Sequence, residues 1–459
     1  MNISDTICST ATPQGIGALA MIRLSGKNAF PIASKLFKNP ISFLELQPNY
    51  AKWSEVYDNE TIIDQLVVVK FANPHSYSGE DLVEFTCHGS RFIQQKILEV
   101  LIRNGARMAE PGEFSMRAFL NGKMDLPQAE AVADLIDSQT ETSHKLAIHQ
   151  LKGNFSEKIK TIRSQFVELA ALLELELDFS EEDVEFADRS KILNLLAELK
   201  KEVTRLTESF KLGNVIKNGI PVAIIGKPNV GKSTLLNALL DDDRAIVSHI
   251  PGTTRDTIED NFTINGVNFR LIDTAGIRLT KDEIETIGIE RTFKAIDKAE
   301  IILYMVDITD TTIDEIEQEL LFLENEVDFV RKKFIIVANK IDKLEDLPSH
   351  FSQWNDYEVV YISARKDVNI DTLKELLSSH ITENNITEGT LLTNARHYDI
   401  FLKIQENIEK IEAGFAHHVP TDIIAIDIKQ ILHDLGLVTG EITSNEILNT
   451  IFGSFCIGK

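Results

Sequence analysis

The chain has 459 residues, of which 43% are hydrophobic and 26% charged, and its formal net charge at pH 7 is −24. The length predicts about three domains, and the composition is that of an ordinary globular protein rather than a disordered or membrane-spanning one. A protein that contacts nucleic acid through many phosphates is usually basic, so any nucleic acid must meet a local basic patch here or be held largely by a partner.

The sequence carries no targeting signal that we recognise. No run of about 18 apolar residues predicts a membrane span, and the start, MNISDTICSTATPQG, lacks a basic region followed by an apolar one. Three cysteines, Cys8, Cys87 and Cys456, are far apart and odd in number, so they predict neither a disulfide framework nor a zinc site. We therefore expect a cytoplasmic protein with no membrane span.

The first 121 residues read as an α+β domain. Short β-like runs at 18–24, 65–71 and 81–87 are separated by turn residues, and one helical stretch follows at 91–105. From residue 122 to 216 the apolar residues instead recur at spacings of three and four, which predicts long amphipathic helices. These helical stretches are 125–137, 151–177 and 192–210.

Residues 217–382 alternate strand, loop and helix. The buried runs PVAIIG, IILYMVD, FIIVAN and VVYISA predict a mostly parallel sheet. Residues 383–459 are helical again, and they end in CIGK. The two helical tracts can complete one bundle with the α/β domain inserted in it, or form two separate appendages; neither tract is large enough to be stable alone, which favours the single bundle.

A phosphate-binding loop follows the first strand of the α/β domain. Residues 226–233 read GKPNVGKS, a complete G-x-x-x-x-G-K-S, and the helix former TLLNALL comes next. Glycines let backbone N–H groups approach phosphates, Lys232 supplies a cation to the β- and γ-phosphate oxygens, and Ser233 offers a hydroxyl to Mg²⁺. A glycine-rich turn with no ligand is the alternative that this strand–loop–helix context disfavours.

Three later motifs predict that the nucleotide is GTP. In DTAG, Asp273 helps to hold Mg²⁺ and Gly276 faces the γ-phosphate. In NKID, the carboxylate of Asp342 can accept two guanine N–H groups that adenine does not offer in this arrangement. In GTT, Thr254 offers a second hydroxyl to Mg²⁺. The residues expected to bind GTP are Asn229, Val230, Gly231, Lys232, Ser233, Thr234, Ser248, His249, Ile250, Pro251, Gly252, Thr253, Thr254, Asp273, Thr274, Ala275, Gly276, Asn339, Lys340, Asp342, Ser363, Ala364 and Arg365.

The residue after DTAG is Ile277, where many GTPases have a glutamine that orients the attacking water. The whole chain nevertheless resembles the MnmE (TrmE) family of tRNA modification GTPases. The likeness includes ATPQGIGALAMIRLSG, AEPGEFSMRAFLNGK, DLPQAEAVADLID, the GTPase motifs and the terminal FCIGK. This family has a hydrophobic residue in place of the glutamine, so the resemblance implies that Ile277 does not mark an inactive site.

The resemblance implies a K⁺-dependent hydrolysis. The positions that match the family's potassium site are Asn229, Ser248, Ile250 and Thr253. A cation between the β- and γ-phosphates can replace an arginine finger. Glu285, which by sequence alone could be a plain surface carboxylate, matches the residue that orients the water through a second water. The family's two G domains meet in a homodimer to form this site.

The resemblance also implies a folate site near the N-terminus. The matching residues are Arg23, Glu84, Lys123 and Lys459. Arg and Lys could bind the glutamate carboxylates of the folate, and a glutamate could accept from its pterin N–H groups. Each residue alone would be read as a solvated charge, and only the set together predicts a folate site. Cys456 could be a passive terminal cysteine, and CIGK is a poor prenylation box; the resemblance makes Cys456 a residue required for modification, so we count it, Glu285 and Lys232 as catalytic.

The function implied by the resemblance is modification of C5 of the wobble uridine in certain tRNAs, to carboxymethylaminomethyl or aminomethyl uridine. The one-carbon donor is 5,10-methylenetetrahydrofolate, with 5-formyltetrahydrofolate as an analogue, and the partner MnmG carries FAD and uses NADH in a heterotetramer. A ribosome-assembly or translation switch GTPase explains the G domain equally well, but it leaves the N-terminal segments and CIGK unexplained. A purely structural dimeric scaffold is disfavoured by the intact phosphate and guanine motifs.

Overall fold

The computed structural model describes residues 5–13, 15–178, 189–241, 261–272, 293, 295–326, 332–344, 357–378, 391–453, 455 and 458. Its contacts divide the chain into two compact units. The first comprises Met1–Asp137, Ala147–Val203 and Leu402–Lys459, and the second comprises Ser138–Leu146 and Thr204–Phe401. The four-part division predicted from the sequence (1–121, 122–216, 217–382 and 383–459) remains a prediction.

The N-terminal part of the first unit contains a six-stranded sheet. Its strands are β1 (Ile7–Thr10), β2 (Leu19–Ser25), β3 (Ala51–Asp58), β4 (Thr61–Phe71), β5 (Leu82–His88) and β6 (Arg107–Met108), and its helices are α1 (Ala29–Ser34), α2 (Pro40–Leu44), α3 (Arg91–Arg103) and α4 (Glu113–Leu120). The strand order is β3-β4-β5-β2-β1-β6. Only the short β1–β6 pairing is parallel.

The two faces of this sheet differ, because side chains alternate along each strand. Ile22, Val68 and Phe85 lie in a buried cluster with residues of α1 and α3. On the opposite face, Arg23 of β2 stands beside Glu84 of β5 in the strand register. The sheet therefore buries one face under helices and presents the Arg23–Glu84 pair on the other.

Four helices follow in the chain: α5 (Leu126–Asp137), α6 (Glu141–Leu151), α7 (Asn154–Asp178) and α8 (Arg189–Asn218). The sequence predicted an unbroken helix from 151 to 177, but α6 ends at Leu151 and α7 begins at Asn154. Gly153 has φ = +88°, a left-handed conformation that suits glycine and ends a helix.

The second unit contains a sheet of six described strands. They are β7 (Ile220–Ile225), β8 (Asn261–Ile264), β9 (Val267–Leu271), β10 (Ile301–Asp307), β11 (Lys333–Asn339) and β12 (Glu358–Ile362), and the helices described here are α9 (Lys232–Asp241), α10 (Ile313–Glu326) and α11 (Ile370–Ser378). The order is β12-β11-β10-β7-β9-β8, and only β8 runs antiparallel to its neighbour. The predicted mostly parallel sheet is confirmed.

Among the described residues after 390, three helices follow: α12 (Ala395–Ala416), α13 (Thr421–Thr439) and α14 (Asn445–Gly453). Within the first unit α13 packs along α7, and Lys200 of α8 pairs with Glu412 of α12 at 2.5 Å. The two helical tracts therefore join, as the single-bundle interpretation predicted. The expected fold class is confirmed: an N-terminal α+β part, then an α/β domain inserted in sequence within a helical domain. None of the described helices is long and apolar enough to cross a membrane.

Candidate functional site

The predicted phosphate loop connects β7 to α9. Gly226 has φ = +140°, and a Cβ there would lie 2.2 Å from the carbonyl oxygen of Met305. Gly231 has φ = +108°, and its Cβ would lie 2.3 Å from Nδ2 of Asn339. Both positions therefore require glycine, because the loop passes directly against β10 and the end of β11.

Lys232 is the first residue of α9, and its side chain folds back over the loop. Its Nζ donates to the carbonyl oxygens of Gly226 at 2.6 Å and Lys227 at 2.8 Å. Burial lowers the pKa of this ammonium. An ammonium has three N–H donors, so one remains for a phosphate oxygen. Ser233 and Thr234 are exposed in the same first turn, where a helix offers backbone N–H groups to anions.

Asn339, the last residue of β11, connects two of the predicted motifs. Its Nδ2 donates to the carbonyl oxygen of Val230 in the phosphate loop at 2.8 Å, and its Oδ1 accepts from the backbone N–H of Ala364 at 3.0 Å. The residue is 3% exposed. The amide therefore holds the phosphate loop and the 363–365 loop in a fixed relation.

The predicted guanine-binding carboxylate lies just after that residue. The hydroxyl of Ser363 donates to Oδ1 of Asp342 at 2.7 Å, and this hydrogen bond lowers the pKa of Asp342. The group is therefore an ionised acceptor, as recognition of guanine N–H groups requires. Arg365, two residues after Ser363, is exposed.

Lys340, between these two residues, has φ = +73° and forms an ion pair with Asp307 at the end of β10. Burial raises the pKa of Asp307, but hydrogen bonds from Lys340 and Thr309 outweigh that effect and lower it. The sequence analysis missed Asp307. The signal available was an acidic residue at the carboxyl end of a buried parallel strand, where ligands of such sheets bind.

Several predicted GTP-site residues lie outside the described residues. They are Ser248, His249, Ile250, Pro251, Gly252, Thr253, Thr254, Asp273, Thr274, Ala275 and Gly276, together with Ile277 and Glu285. The last described residue before DTAG, Ile272, donates its N–H to the carbonyl oxygen of Val222 at 2.9 Å. The chain thus leaves the sheet beside β7, the strand that leads into the phosphate loop.

A second cluster lies in the first unit, around Arg23 and Glu84. Nε and Nη2 of Arg23 donate to Oε1 of Glu84 at 3.0 and 2.7 Å, and the two side chains are 16% and 17% exposed. Both hydrogen bonds end on one oxygen, so Oε2 of Glu84 can accept from another donor. The pair therefore combines an anion-binding guanidinium with a carboxylate acceptor.

Two aromatic rings hold the guanidinium of Arg23. Its Cζ lies 5.1 Å from the ring centroid of Tyr77 and 5.7 Å from that of Phe114, distances typical of cation–π contacts. The hydroxyls of Tyr77 and Ser115 share a hydrogen bond of 2.7 Å. The sequence analysis missed both rings, because Tyr77 lies in a loop whose position no periodic pattern predicts.

Of the other predicted folate residues, the structure describes Lys123. Lys123 donates to the carbonyl oxygen of Pro74 at 3.0 Å, at the start of the loop that carries the tyrosine. A Cβ on Gly458 would lie 2.0 Å from the carbonyl oxygen of Thr10, so the end of the chain packs against β1, whose Ser9 is opposite Arg23 in the register. Cys456 and Lys459, its near neighbours, lie outside the described residues.

A buried ionic network supports the same loop. Arg117 is fully buried; its Nη1 donates to Glu80 at 3.1 Å and its Nη2 to Glu113 at 2.9 Å. Arg107 forms a bidentate pair with Glu113 at 2.6 and 2.8 Å. Burial raises the pKa of Glu113, but its hydrogen bonds, that from Arg107 first, lower it overall. Because Glu80 also accepts from Ser25 of β2 at 2.7 Å, the network ties α4 and the loop to the sheet.

Comparison with known proteins identifies the family. The family described as "GTP-binding protein TrmE N-terminus" matches residues 6–123, and "MnmE helical domain" matches residues 126–456. A tRNA modification GTPase MnmE of Flavobacterium psychrophilum is 46% identical over 458 residues, 99% of each chain. Its counterpart in Christiangramia forsetii is 47% identical over 479 residues, with 100% of each chain covered. The chain belongs to the MnmE family of tRNA modification GTPases.

Among solved structures, the FeoB G domain of Methanococcus jannaschii is 28% identical and covers 34% of this chain and 94% of its own, with a TM-score of 0.25. That score is too low to bear on the fold. For this member of the MnmE family, the described residues thus form two clusters. One joins the phosphate loop to Asn339, Asp342 and Ser363, and the other joins Arg23 to Glu84. The switch-loop residues and the catalytic Glu285 stay predictions.

Proposed function

We propose that this chain hydrolyses GTP in the service of modifying C5 of the wobble uridine in certain tRNAs, in the cytoplasm. The product is carboxymethylaminomethyl or aminomethyl uridine, made from glycine or ammonia and a one-carbon unit of 5,10-methylenetetrahydrofolate. The partner is MnmG, which supplies FAD and uses NADH in a heterotetramer. One observation in this member of the family carries the proposal. The side-chain amide of Asn339 forms hydrogen bonds with both the phosphate loop and the 363–365 loop.

The phosphate loop fits a magnesium-bound nucleoside triphosphate. Lys232 has one N–H left for a phosphate, and Ser233 offers a hydroxyl from the exposed first turn of α9. Thr254 and Asp273 would complete the Mg²⁺ site. When bound, Mg²⁺ neutralises charge that develops on the phosphate oxygens. The residues of the chain then bind and orient the triphosphate.

The hydrolysis is proposed to need K⁺. Asn229 is exposed at the phosphate loop with φ = +64°, so its side chain can reach the nucleotide rather than the core. Ser248, Ile250 and Thr253 would supply backbone oxygens. Bound K⁺ would supply the positive charge that other GTPases obtain from an arginine. Glu285 would orient the attacking water through a second water, which makes an aliphatic Ile277 harmless.

The Arg23–Glu84 cluster is proposed to hold the folate. Glu84 has one oxygen left for pterin N–H donors, and Arg23 and Lys123 offer cations to the folate carboxylates. The contact of Gly458 with the end of β1 supports a role for Lys459 and Cys456 in the same site. 5-Formyltetrahydrofolate would bind there as an analogue of the donor.

The chain is also proposed to form a homodimer. The face of the first sheet that carries the Arg23–Glu84 pair includes Trp53, 62% exposed, and Leu19, 63% exposed. Val67, opposite Trp53 in the register, is 37% exposed. Large apolar side chains grouped on one open face mark an association surface. Dimerisation would bring two G domains together, and hydrolysis would then drive their movement rather than the uridine chemistry itself.

GTP turnover in KCl and in NaCl of equal ionic strength tests this proposal. We expect turnover in K⁺ to exceed that in Na⁺ by about 10-fold or more, because an arginine finger, whose charge the cation replaces, is worth a factor of about 10³ or more. Asn229→Ala should remove the difference between the salts. Glu285→Ala should lose turnover and keep GTP affinity. Equal turnover of the unaltered chain in the two salts would contradict the cation mechanism.

A further inference from the structure

The negative charge of the chain is unevenly distributed. Residues 1–121 carry 11 Lys and Arg against 12 Asp and Glu, whereas the whole chain carries 47 against 71. Within residues 27–53, four lysines stand against a single acid, Glu45. A tRNA carries one phosphate per nucleotide, so where it contacts this acidic protein directly, rather than through a partner, we expect positive charge in local excess. The segment 27–53 is such a place.

The structure contains a cavity within this segment, which we name the α2–β3 pocket. Its volume is about 230 Å³, smaller than the roughly 300–1,000 Å³ of pockets for drug-sized ligands, so it suits a single nucleoside. It opens beside β3, the edge strand of the first sheet. The residues that line it are Phe37, Lys38, Asn39, Ser42, Phe43, Lys52, Ser54, Glu55 and Tyr57.

The pocket has a fixed aromatic wall. The rings of Phe37 and Phe43 are stacked, with centroids 4.6 Å apart and planes 10° apart. Behind them the ammonium of Lys70 lies 5.3 Å from the centroid of Phe43 and donates to the carbonyl oxygens of Leu44 at 2.8 Å and Leu46 at 3.0 Å. These contacts secure the end of α2, so the wall is formed before any ligand arrives and little ordering is needed on binding.

Two cations stand at the pocket. Lys38 is exposed, and Nζ of Lys52 donates to the hydroxyl of Ser42 at 2.9 Å, which leaves two of its N–H groups for a phosphate. The carboxylate of Glu55 accepts from Tyr57 Oη at 2.5 Å and Gln65 Nε2 at 3.1 Å. The acid is therefore engaged within the protein, and the two lysines that line the pocket give it an excess of positive charge.

An aromatic wall beside cations is the arrangement that binds single-stranded nucleic acid, with a base stacked on the ring and phosphates at the lysines. We propose that the α2–β3 pocket receives one nucleotide of a single-stranded segment of the substrate tRNA, its base against Phe37 and its phosphates at Lys38 and Lys52. Stacking accepts any base, so the pocket secures the RNA without reading its sequence. This inference rests on the proposed function, from which it takes tRNA as the substrate.

The test is binding of a fluorescently labelled tRNA transcript to the full chain across a range of salt concentrations. In Lys38→Gln/Lys52→Gln, the slope of log affinity against log salt should fall by about 1.4, since each single-strand phosphate contact contributes about 0.7. Phe37→Leu should weaken binding by about 10-fold with an unchanged slope, because stacking is not ionic. GTP turnover should stay as in the unaltered chain in both variants.

The matched control is Lys201→Gln/Lys429→Gln, which removes two exposed lysines from the helical part of the same unit and should keep both affinity and slope. If the Lys38/Lys52 variant binds tRNA like this control while the unaltered chain still supports modification, the pocket does not bind the tRNA. The proposed function would then stand. Failure of the unaltered chain to bind tRNA, with or without its partner, would overturn both. If the Lys38/Lys52 variant binds uridine monophosphate more weakly than the unaltered chain but binds tRNA equally well, the pocket takes a free nucleotide. That result would overturn the RNA site.

Discussion

Asn339 donates from Nδ2 to the carbonyl oxygen of Val230 at 2.8 Å, so the last residue of one parallel strand fixes the phosphate loop that follows another. Its Oδ1 meanwhile accepts from Ala364. The sequence predicted Asn339 as a guanine contact, and the structure shows that its side chain also holds two loops of the nucleotide site together. We expect this buried amide to couple phosphate recognition to base recognition.

Asn339→Ala should therefore weaken binding of GDP and GTP together. It leaves the carbonyl of Val230 and the N–H of Ala364 without their partners, and each such loss in a buried site costs about 1–3 kcal/mol. We expect an affinity loss of about 10-fold or more, measured by titration with a fluorescent guanine nucleotide. Asn237→Ala, an exposed asparagine of α9, is the control and should bind normally. Equal affinities in the two variants would refute the coupling.

Asp342→Asn should exchange guanine for xanthine. The carboxylate accepts two guanine N–H groups, whereas an amide can donate to the carbonyl that xanthine has in place of the exocyclic amine. Hydrogen bonds to a charged group are worth about 1.5–3 kcal/mol each, so GTP affinity should fall by about 100-fold. Competition titrations with GTP and xanthosine triphosphate measure the exchange. A variant that still prefers GTP would show that Asp342 does not read the base.

Arg23→Ala and Glu84→Ala should each weaken binding of 5-formyltetrahydrofolate by about 10-fold or more in calorimetry, because each removes a charge-assisted hydrogen bond. Tyr77→Leu should weaken it less, since it removes the ring over Arg23 and a hydroxyl bonded to Ser115 but leaves both charged groups in place. Arg91→Ala, at an exposed arginine of α3, should bind the folate normally. Unchanged affinity in both the Arg23 and Glu84 variants would rule out this folate site.

Glu113→Gln should destabilise the first unit by about 3–5 kcal/mol near neutral pH, because it removes a buried charge that pairs with both the buried Arg117 and the half-buried Arg107. The pKa of Glu113 is lowered in the folded chain from its ordinary 4.5, so its stabilising effect is complete above pH 4.5 and is lost as the pH falls through the folded value. The variant should consequently lose less stability than the unaltered chain in acid. Urea unfolding from pH 7 to pH 3 measures both effects, with the exposed Glu110→Gln as control; parallel pH profiles would count against the network.

The sequence predicted the parts of the molecule that local patterns encode. Buried runs predicted the parallel strands. The glycines of GKPNVGKS predicted a tight loop, and the structure leaves no room for a Cβ at Gly226 or Gly231. Arg23 and Glu84 were predicted only by family resemblance, and the register of β2 and β5 gives the geometric reason for their pairing.

Contacts between distant segments could not be predicted in this way. Tyr77 meets Arg23 through a loop held by the buried Arg117, and nothing in the spacing of either residue encodes that contact. The same is true of Lys340, just after β11, and Asp307, at the end of the neighbouring β10. A helix boundary was also displaced, because one left-handed glycine, Gly153, outweighed an otherwise helical pattern.

The most direct test of the account is nucleoside analysis of tRNA from cells that lack this chain, complemented with the unaltered chain or with Lys232→Ala or Arg23→Ala. The account predicts that the C5-modified wobble uridine disappears without the chain, returns with the unaltered chain and stays absent with either variant. Normal wobble uridine in the deleted cells, accompanied by altered ribosome profiles, would contradict it and favour a ribosome-assembly GTPase.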